Sequence, residues 1–277
     1  MKVIPSIDEF RAARAALSGS LGFVPTMGAL HEGHLSLVRR AKAECDRVAV
    51  SIFVNPTQFG ANEDLAKYPR DVARDLALLE PLGVDLVWTP SNEMMYPPNY
   101  QTWVQVEALT QVLEGAMRPT HFRGVTTVVT KLFNVVQPQR AYFGQKDAQQ
   151  VAVIRQMTRD LNFPIEIIVC PTAREADGLA LSSRNQYLTG ETRPAAAILF
   201  RALSAAKDLY DAGERNAEAL RSKMRAVLES EPLAQPQYVS CADYDTLAEL
   251  ETISGKTLLS MAVMLGTTHL IDNLVLD

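Results

Sequence analysis

The feature that most constrains this chain is an alternation, through its first 170 residues, of short apolar runs with stretches of helical period. Gly22–Thr26, Val48–Val54, Val84–Thr89, Ala141–Phe143 and Glu166–Cys170 read as strands. Between them, His34–Lys42, Leu65–Leu79, Val125–Val136 and Ala148–Leu161 bring apolar residues back every three to four positions, the spacing of one helical face. Strands separated by helices pair in parallel, because a crossover helix returns the chain to the same end of the sheet. The pattern predicts a doubly wound, Rossmann-like α/β sheet, whose ligands sit beyond the carboxyl ends of the strands.

After Cys170 the pattern changes. Pro171–Asn185 is polar and has no clear period. Helical stretches follow at Ala195–Ala212 and Ala217–Ser230, then strand-like runs at Tyr238–Ala242, Thr257–Leu265 and His269–Leu276. Helices followed by strands predict a smaller C-terminal α+β domain. We therefore expect residues 1–173 to bind the ligands and residues 174–277 to close over them. The run Leu258–Leu265 suits a core strand or an interface equally well.

Composition excludes several classes. With 47% of 277 residues hydrophobic, the chain has enough apolar surface for cores of this size, yet no run approaches the roughly 18–20 residues of a membrane span. Pro5, Asp8 and Glu9 are out of place in a secretory leader. Cys45, Cys170 and Cys241 are far apart and match no metal or disulfide spacing. We expect a cytoplasmic protein. A net charge of −5 without a basic run argues against a nucleic-acid partner.

Four segments carry the chemistry, and all lie at predicted strand ends. In Pro25–His34 (PTMGALHEGH) a strand gives way to a helix, whose first N–H groups and partial positive charge attract anions. Gly28 and Gly33 allow the backbone to approach a ligand, while His31 and His34, three residues apart, can donate to phosphate oxygens. The histidines lack the four-residue spacing of zinc-protease helices. The second segment, Ile52–Gly60 (IFVNPTQFG), offers the amides of Asn55 and Gln58, which suit hydroxyls and a carboxylate, or simply a turn. In the third, Tyr142–Gln150 (YFGQKDAQQ), Lys146 is a cation at a phosphate-binding turn, and Asp147 suits a helix cap, a ribose hydroxyl or magnesium. Gln150 shares the face of Asp147. The fourth, Leu181–Asn185 (LSSRN), has the hydroxyls and the guanidinium fork that bind a triphosphate, or a merely solvated loop.

The stretch His31–His34 resembles the HxGH signature of the nucleotidyltransferase superfamily, and LSSRN resembles a diverged form of its KMSKS-type second signature. PTMGALHEGH, FVNPTQF, HFRGV, YFGQKDAQQ and READGLALSSRN together resemble the pantothenate synthetase (pantoate–β-alanine ligase) family in order and spacing over residues 23–187. The last ninety residues resemble it only in length and character. This resemblance implies an ATP-dependent ligase that joins pantoate to β-alanine through a pantoyl-adenylate, with Mg²⁺ as cofactor and a homodimeric assembly.

It also implies roles. Met27, Gly28, Ala29, Leu30, His31, Glu32, Gly33 and His34 would line the ATP site, with His34 as the active-site acid and His31 beside it. Gly144, Gln145, Lys146, Asp147, Ala173, Leu181, Ser182, Ser183 and Arg184 would complete that site, and Lys146 would act catalytically at the phosphates. Gln58 and Gln150 would hold pantoate, Gln58 would also lie near β-alanine, and Asn55 and Arg118 would lie near the acid substrate. The family often has Glu in place of Gln145 and Tyr in place of Ala148. A transferase that puts a nucleotidyl group on a phosphorylated acceptor would need cations where FVNPTQF supplies amides. A non-catalytic ATP sensor would leave Lys146, the two histidines and Ser182–Arg184 unexplained as a set.

Overall fold

Six apolar strands pair in parallel to form the sheet of the first of two units: β1 (Lys2–Ile4), β2 (Leu21–Thr26), β3 (Arg47–Ile52), β4 (Leu86–Trp88), β5 (Arg140–Gly144) and β6 (Glu166–Cys170). The structure is a computed structural model describing residues 1–60 and 63–277. Residues 1–144 and 153–171 form the first unit, and residues 145–152 and 172–277 the second.

In the first unit the strand order is β1-β4-β3-β2-β5-β6. The chain builds outward from β2 through β3 to β4 and then returns to the other side of β2 with β5 and β6. The reversal places the topological switch point between the carboxyl ends of β2 and β5, where this fold class binds ligands. α1 (Ile7–Ala15), α2 (Glu32–Glu44), α3 (Val72–Leu79) and α6 (His121–Val136) accompany the strands, with single turns α4 (Asn92–Met95) and α5 (Glu114–Met117) before α6. α7 (Ala148–Asp160) runs across the division at residue 152.

One core cluster packs α2 on the sheet. Leu37, Val38 and Ala41, at helical spacing, meet Val24, Val48 and Val50 of the strands. Each of these leucine and valine side chains contributes about 1.5–3 kcal/mol on burial. The doubly wound class expected from the sequence is present. β1 and α1 were not anticipated: β1 has only three residues, too few for a period, yet it pairs Lys2–Ile4 with Leu86–Trp88. Ser6 caps α1 by accepting the Glu9 N–H at 3.2 Å, and Phe10 is fully buried against Trp88, with ring centroids 5.5 Å apart. The predicted helix Leu65–Leu79 is interrupted. A short 3₁₀ turn at Asp64–Ala66 ends before Pro69, and α3 starts afresh with Asp71 as its cap. Proline pushes the residue before it out of the helical region, so the two apolar stretches cannot join.

The second unit contains α8 (Thr192–Ala195), α9 (Ile198–Asp211), α10 (Ala217–Glu229) and an antiparallel sheet β7 (Ala234–Asp243), β8 (Thr257–Leu265) and β9 (Thr268–Leu276) in the order β7-β8-β9. Leu259, Met261, Val263 and Leu265 of β8 join Leu199, Leu203, Leu220 and Met224 in its core. The run that suited either a core or an interface is a core strand. Among the described residues, no helix is long and apolar enough to cross a membrane.

Candidate active site

β2 ends at Thr26, and the chain turns sharply into α2. Gly28 has φ +82° and Ala29 φ +50°, both in the left-handed region. The Asp75 carboxylate of α3 spans this turn, accepting the Ala29 N–H at 2.9 Å through Oδ2 and the Leu30 N–H at 2.8 Å through Oδ1. Asp75 is 1% exposed, and burial pushes its carboxyl above the ordinary aspartate value against the opposing pull of these two donors. The Leu30 side chain enters the core. A Cβ on Gly28 would lie 2.9 Å from Asp75 Oδ2, so this position needs glycine for both its φ and its space.

His31 is the N-cap of α2 and His34 its third residue, so the helix starts at Glu32, two residues earlier than the sequence reading placed it. His31 Nδ1 accepts the Gly33 N–H at 3.2 Å, and His34 Nδ1 accepts the His31 N–H at 3.4 Å. A backbone N–H can only donate, so both Nδ1 atoms are acceptors, and the proton of each neutral ring is on Nε2. The ring centroids are 4.2 Å apart. The two rings thus carry their N–H groups at Nε2 and sit side by side at a helix N-terminus, a position suited to an anion. Glu32 turns away and pairs with exposed Arg39.

After β3, Asn55 is 1% exposed and fully engaged. Its Oδ1 accepts the Thr57 N–H at 3.3 Å, which fixes the amide orientation, and also the Tyr96 hydroxyl at 2.9 Å. Burial pushes the Tyr96 phenol up to about 12, which keeps it a donor. Asn55 Nδ2 then donates to the Gly124 carbonyl and to Gln58 Oε1, both at 3.1 Å. Gln58 therefore turns its NH₂ to the opposite side, where Nε2 donates to Met27 Sδ at 3.1 Å. α6 comes this close only because residue 124 is glycine; a Cβ there would be 2.5 Å from the Thr57 carbonyl oxygen. Arg118 donates Nε to Glu63 Oε1 at 2.8 Å and Nη2 to Oε2 at 2.5 Å, while His121 Nδ1 donates to the Gln58 carbonyl at 2.9 Å. Burial works to raise Glu63, but the Arg118 bonds and charge outweigh it and hold the carboxyl below its usual range. A cavity of about 310 Å³ opens at the ends of these strands, lined in part by Met27, Gly28, Ile52, Arg70, Asp75 and Asn92.

The second unit contains the other predicted residues. Gln145, Lys146 and Asp147 form a 3₁₀ turn leading into α7, with Lys146 Nζ 3.4 Å from Asp147 Oδ1; Gly144, which precedes them, closes β5 in the first unit. Gln150 is half-buried on the first turn of α7. Ala173 accepts the Leu181 N–H at 2.9 Å, an Arg174–Ala180 bridge closes the intervening turn, and Ser182 caps the 3₁₀ turn Ser183–Tyr187 by accepting the Arg184 N–H at 3.2 Å. The structure thus assembles Met27, Asn55, Gln58 and Arg118 in one network, and Gln145–Asp147 and Ala173–Arg184 in two short turns.

A family model described as pantoate-beta-alanine ligase matches residues 2–275. The chain belongs to the pantoate–β-alanine ligase family. Over 277 residues it is 62% identical to the pantothenate synthetase of Roseiflexus castenholzii, with all of both chains aligned. It is 63% identical to that of Chloroflexus aurantiacus over 278 residues, covering 100% of this chain and 99% of the relative. The pantothenate synthetase of Thermus thermophilus superposes with a TM-score of 0.95 at 48% identity, covering 99% of each chain. A pantoate–β-alanine ligase from Francisella tularensis, solved with β-γ ATP and β-alanine, superposes with a TM-score of 0.81 at 36% identity, covering 99% of this chain and 97% of that one. The chain is an enzyme of this ligase family.

Sequence reasoning about this ligase missed Asp75, Glu63, Tyr96 and His121. Each acts on a predicted residue across a long stretch of chain: 46 residues separate Asp75 from Ala29, and 55 separate Glu63 from Arg118. No local spacing signals such a pair. His121 lies in HFRGV, a segment noted only for its resemblance.

Proposed function

We propose that this ligase activates pantoate with ATP as a pantoyl-adenylate, releasing pyrophosphate, and passes the acyl group to β-alanine to give pantothenate and AMP. The observation that carries this reading is the histidine pair at the N-terminus of α2, whose rings lie 4.2 Å apart with both Nδ1 atoms accepting backbone N–H groups. A pantoate carboxylate oxygen attacks the α-phosphorus, and the bond from that phosphorus to the α,β-bridging oxygen breaks, so pyrophosphate departs with the electron pair. Donors that gain strength as its charge grows lower this barrier, typically by 10²–10³ in rate for each donor. His31 and His34 have that role, joined by Lys146, Ser182, Ser183 and Arg184. Gln58 presents an N–H to an acceptor oxygen of pantoate, Gln150 provides a second amide, and Asn55 holds Gln58 in orientation. The amine of β-alanine then attacks the acyl carbon and AMP leaves, so no protein nucleophile is needed.

Mg²⁺ enters this reading with the nucleotide. Among the described residues, no three His, Cys, Asp or Glu side chains gather as a metal site. Magnesium on a nucleotide usually takes only one or two carboxylates besides phosphates and water. Asp147, a half-exposed carboxylate beside Lys146, fits that need, and the ion would neutralise phosphate charge. We further propose a cytoplasmic homodimer. Three buried free cysteines suit a reducing compartment, and sedimentation at micromolar concentration reads the assembly.

The deciding experiment is ATP–pyrophosphate isotope exchange without β-alanine. Exchange that requires pantoate supports the adenylate. Exchange that is absent, or equally fast without pantoate, overturns it.

A further inference from the structure

Strand β9 holds a side chain that the motifs left out. Asn273, 4% exposed, donates Nδ2 to the carbonyls of Gln145 at 3.0 Å and Lys146 at 2.8 Å. Both partners are acceptors, so the amide has a single orientation, and its Oδ1 accepts Gln145 Nε2 at 3.0 Å. Gln145 Oε1 in turn accepts the Tyr244 hydroxyl at 3.3 Å. The turn carrying Lys146 is thus fastened to β9 by three hydrogen bonds from one side chain, at two successive carbonyls and one amide.

The neighbouring residue fastens the other turn. Asp272, 2% exposed, takes Arg174 in a two-bond fork at 2.6 and 2.9 Å. Arg174 also donates to the carbonyls of Gly178 at 3.0 Å and Asn273 at 3.3 Å, and its guanidinium lies 4.3 Å from the centroid of the Phe200 ring. Arg174 opens the turn that returns through Ala180 to Leu181 and so to Ser182–Arg184. Two consecutive residues therefore set two segments that are well separated in the chain and that both carry predicted phosphate ligands.

We propose that Asn273 is a positioning residue for Lys146, and that the Asp272–Asn273 pair makes β9 the common mount for the 145–147 and 173–184 turns. The proposal rests on the reading of Lys146 as a ligand to the ATP phosphates. A mobile lysine must be held near one position before the nucleotide arrives, and displacement by about 1 Å can cost 10²-fold in rate. Fixing the carbonyls of the two peptide units that flank the Lys146 Cα sets where that Cα sits.

The test is Asn273→Asp, which keeps size and shape but sets a carboxylate oxygen against two carbonyls. Pantoate-dependent ATP–pyrophosphate exchange should fall at least about tenfold and KM for ATP should rise by a similar factor. KM for pantoate should change less than about threefold, with values normalised to folded enzyme. A residue that serves stability alone would lower Tm and yield but leave KM for ATP unchanged, and that result overturns the proposal. Asn273→Ala, which removes the bonds without adding charge, carries the same test should the aspartate variant fail to fold. Lys146→Ala separates the two readings. If it lowers exchange while both Asn273 variants keep wild-type KM for ATP and rate, the mount is wrong; if it leaves exchange unchanged, the phosphate reading of Lys146 is wrong.

Discussion

Asp75 Oδ1 accepts the Leu30 N–H at 2.8 Å, and this bond, with its partner at Ala29, lets a buried acid on α3 shape the turn after β2. The turn is therefore preformed. Three of its N–H groups are already committed within the protein, Gly28 to Thr26 Oγ1 and Ala29 and Leu30 to Asp75, so the proposed anion binding at this corner would fall mainly to the His31 and His34 side chains.

Gly28→Ala tests that construction. The left-handed φ of +82° costs an L-residue roughly 1–2 kcal/mol, and the new Cβ would stand 2.9 Å from Asp75 Oδ2. We expect a loss of about 2 kcal/mol or more in chemical denaturation, together with reduced exchange activity. Gly144→Ala is the counterpart. Nothing lies within 4 Å of its added Cβ and its φ is not left-handed, so its stability should stay within about 0.5 kcal/mol of wild type. A rise in KM for ATP in that stable variant would mean that the nucleotide packs against Gly144.

The tautomer assignment makes a prediction at His34. Glutamine places an amide N–H near the imidazole Nε2 position, whereas asparagine mimics Nδ1. His34→Gln should retain more exchange activity than His34→Asn, and His34→Ala should lose about 10²–10³. Equal losses in the glutamine and asparagine variants would show that the Nε2 donor is not what matters.

Much of this was legible in the sequence, and the failures have physical causes. Strand–helix alternation exposed the parallel sheet because apolar period reports burial directly. The β2–α2 motif was visible because glycine, histidine and a helix start occur within ten residues. β1 escaped because three residues have no measurable period, although Ser6 and Glu9 already bore the spacing of a helix cap. The interruption between Ala66 and Val72 was signalled by Pro69, which the reading of one continuous helix passed over. Asn55 uses both ends of its amide within the protein, an arrangement that depends on Tyr96 and Gly124 far along the chain and so could not be read locally. Asp75 and Asn273 are of the same kind. Their partners are defined by the tertiary fold and by nothing nearby in sequence.

The Asn55–Gln58 network predicts an asymmetric effect. Gln58→Ala removes the presented N–H and should raise KM for pantoate about tenfold or more, the scale of a lost hydrogen bond to a charged group, with KM for ATP nearly unchanged. Asn55→Asp replaces the donor to Gln58 Oε1 and the Gly124 carbonyl with an oxygen. It should resemble Gln58→Ala in its effect on pantoate and destabilise the fold in addition, because the Gly124 carbonyl loses its partner. Steady-state kinetics with each substrate varied in turn would check this, and equal shifts for ATP and pantoate would remove Gln58 from the acid pocket.

The Glu63–Arg118 pair yields a pH prediction with a definite sign. The folded-state value of Glu63 is lowered from 4.5, so the native protein binds this proton less readily than the unfolded chain does. By linkage, the stabilisation is fully present above pH 4.5 and is lost as pH falls through the depressed native value. Glu63→Gln removes the charge and should be less stable than wild type at pH 7, with the gap closing as pH drops below that of free glutamate. Because Arg118 also donates to the Gln58 carbonyl at 3.4 Å and His121 holds the same oxygen, the variant should loosen the 3₁₀ turn Pro56–Gln58 and raise KM for pantoate at pH 7. Thermal melts of both proteins from pH 7 to pH 3 would read the difference. A gap that stays constant across that range would show that Glu63 is not held as a carboxylate by Arg118.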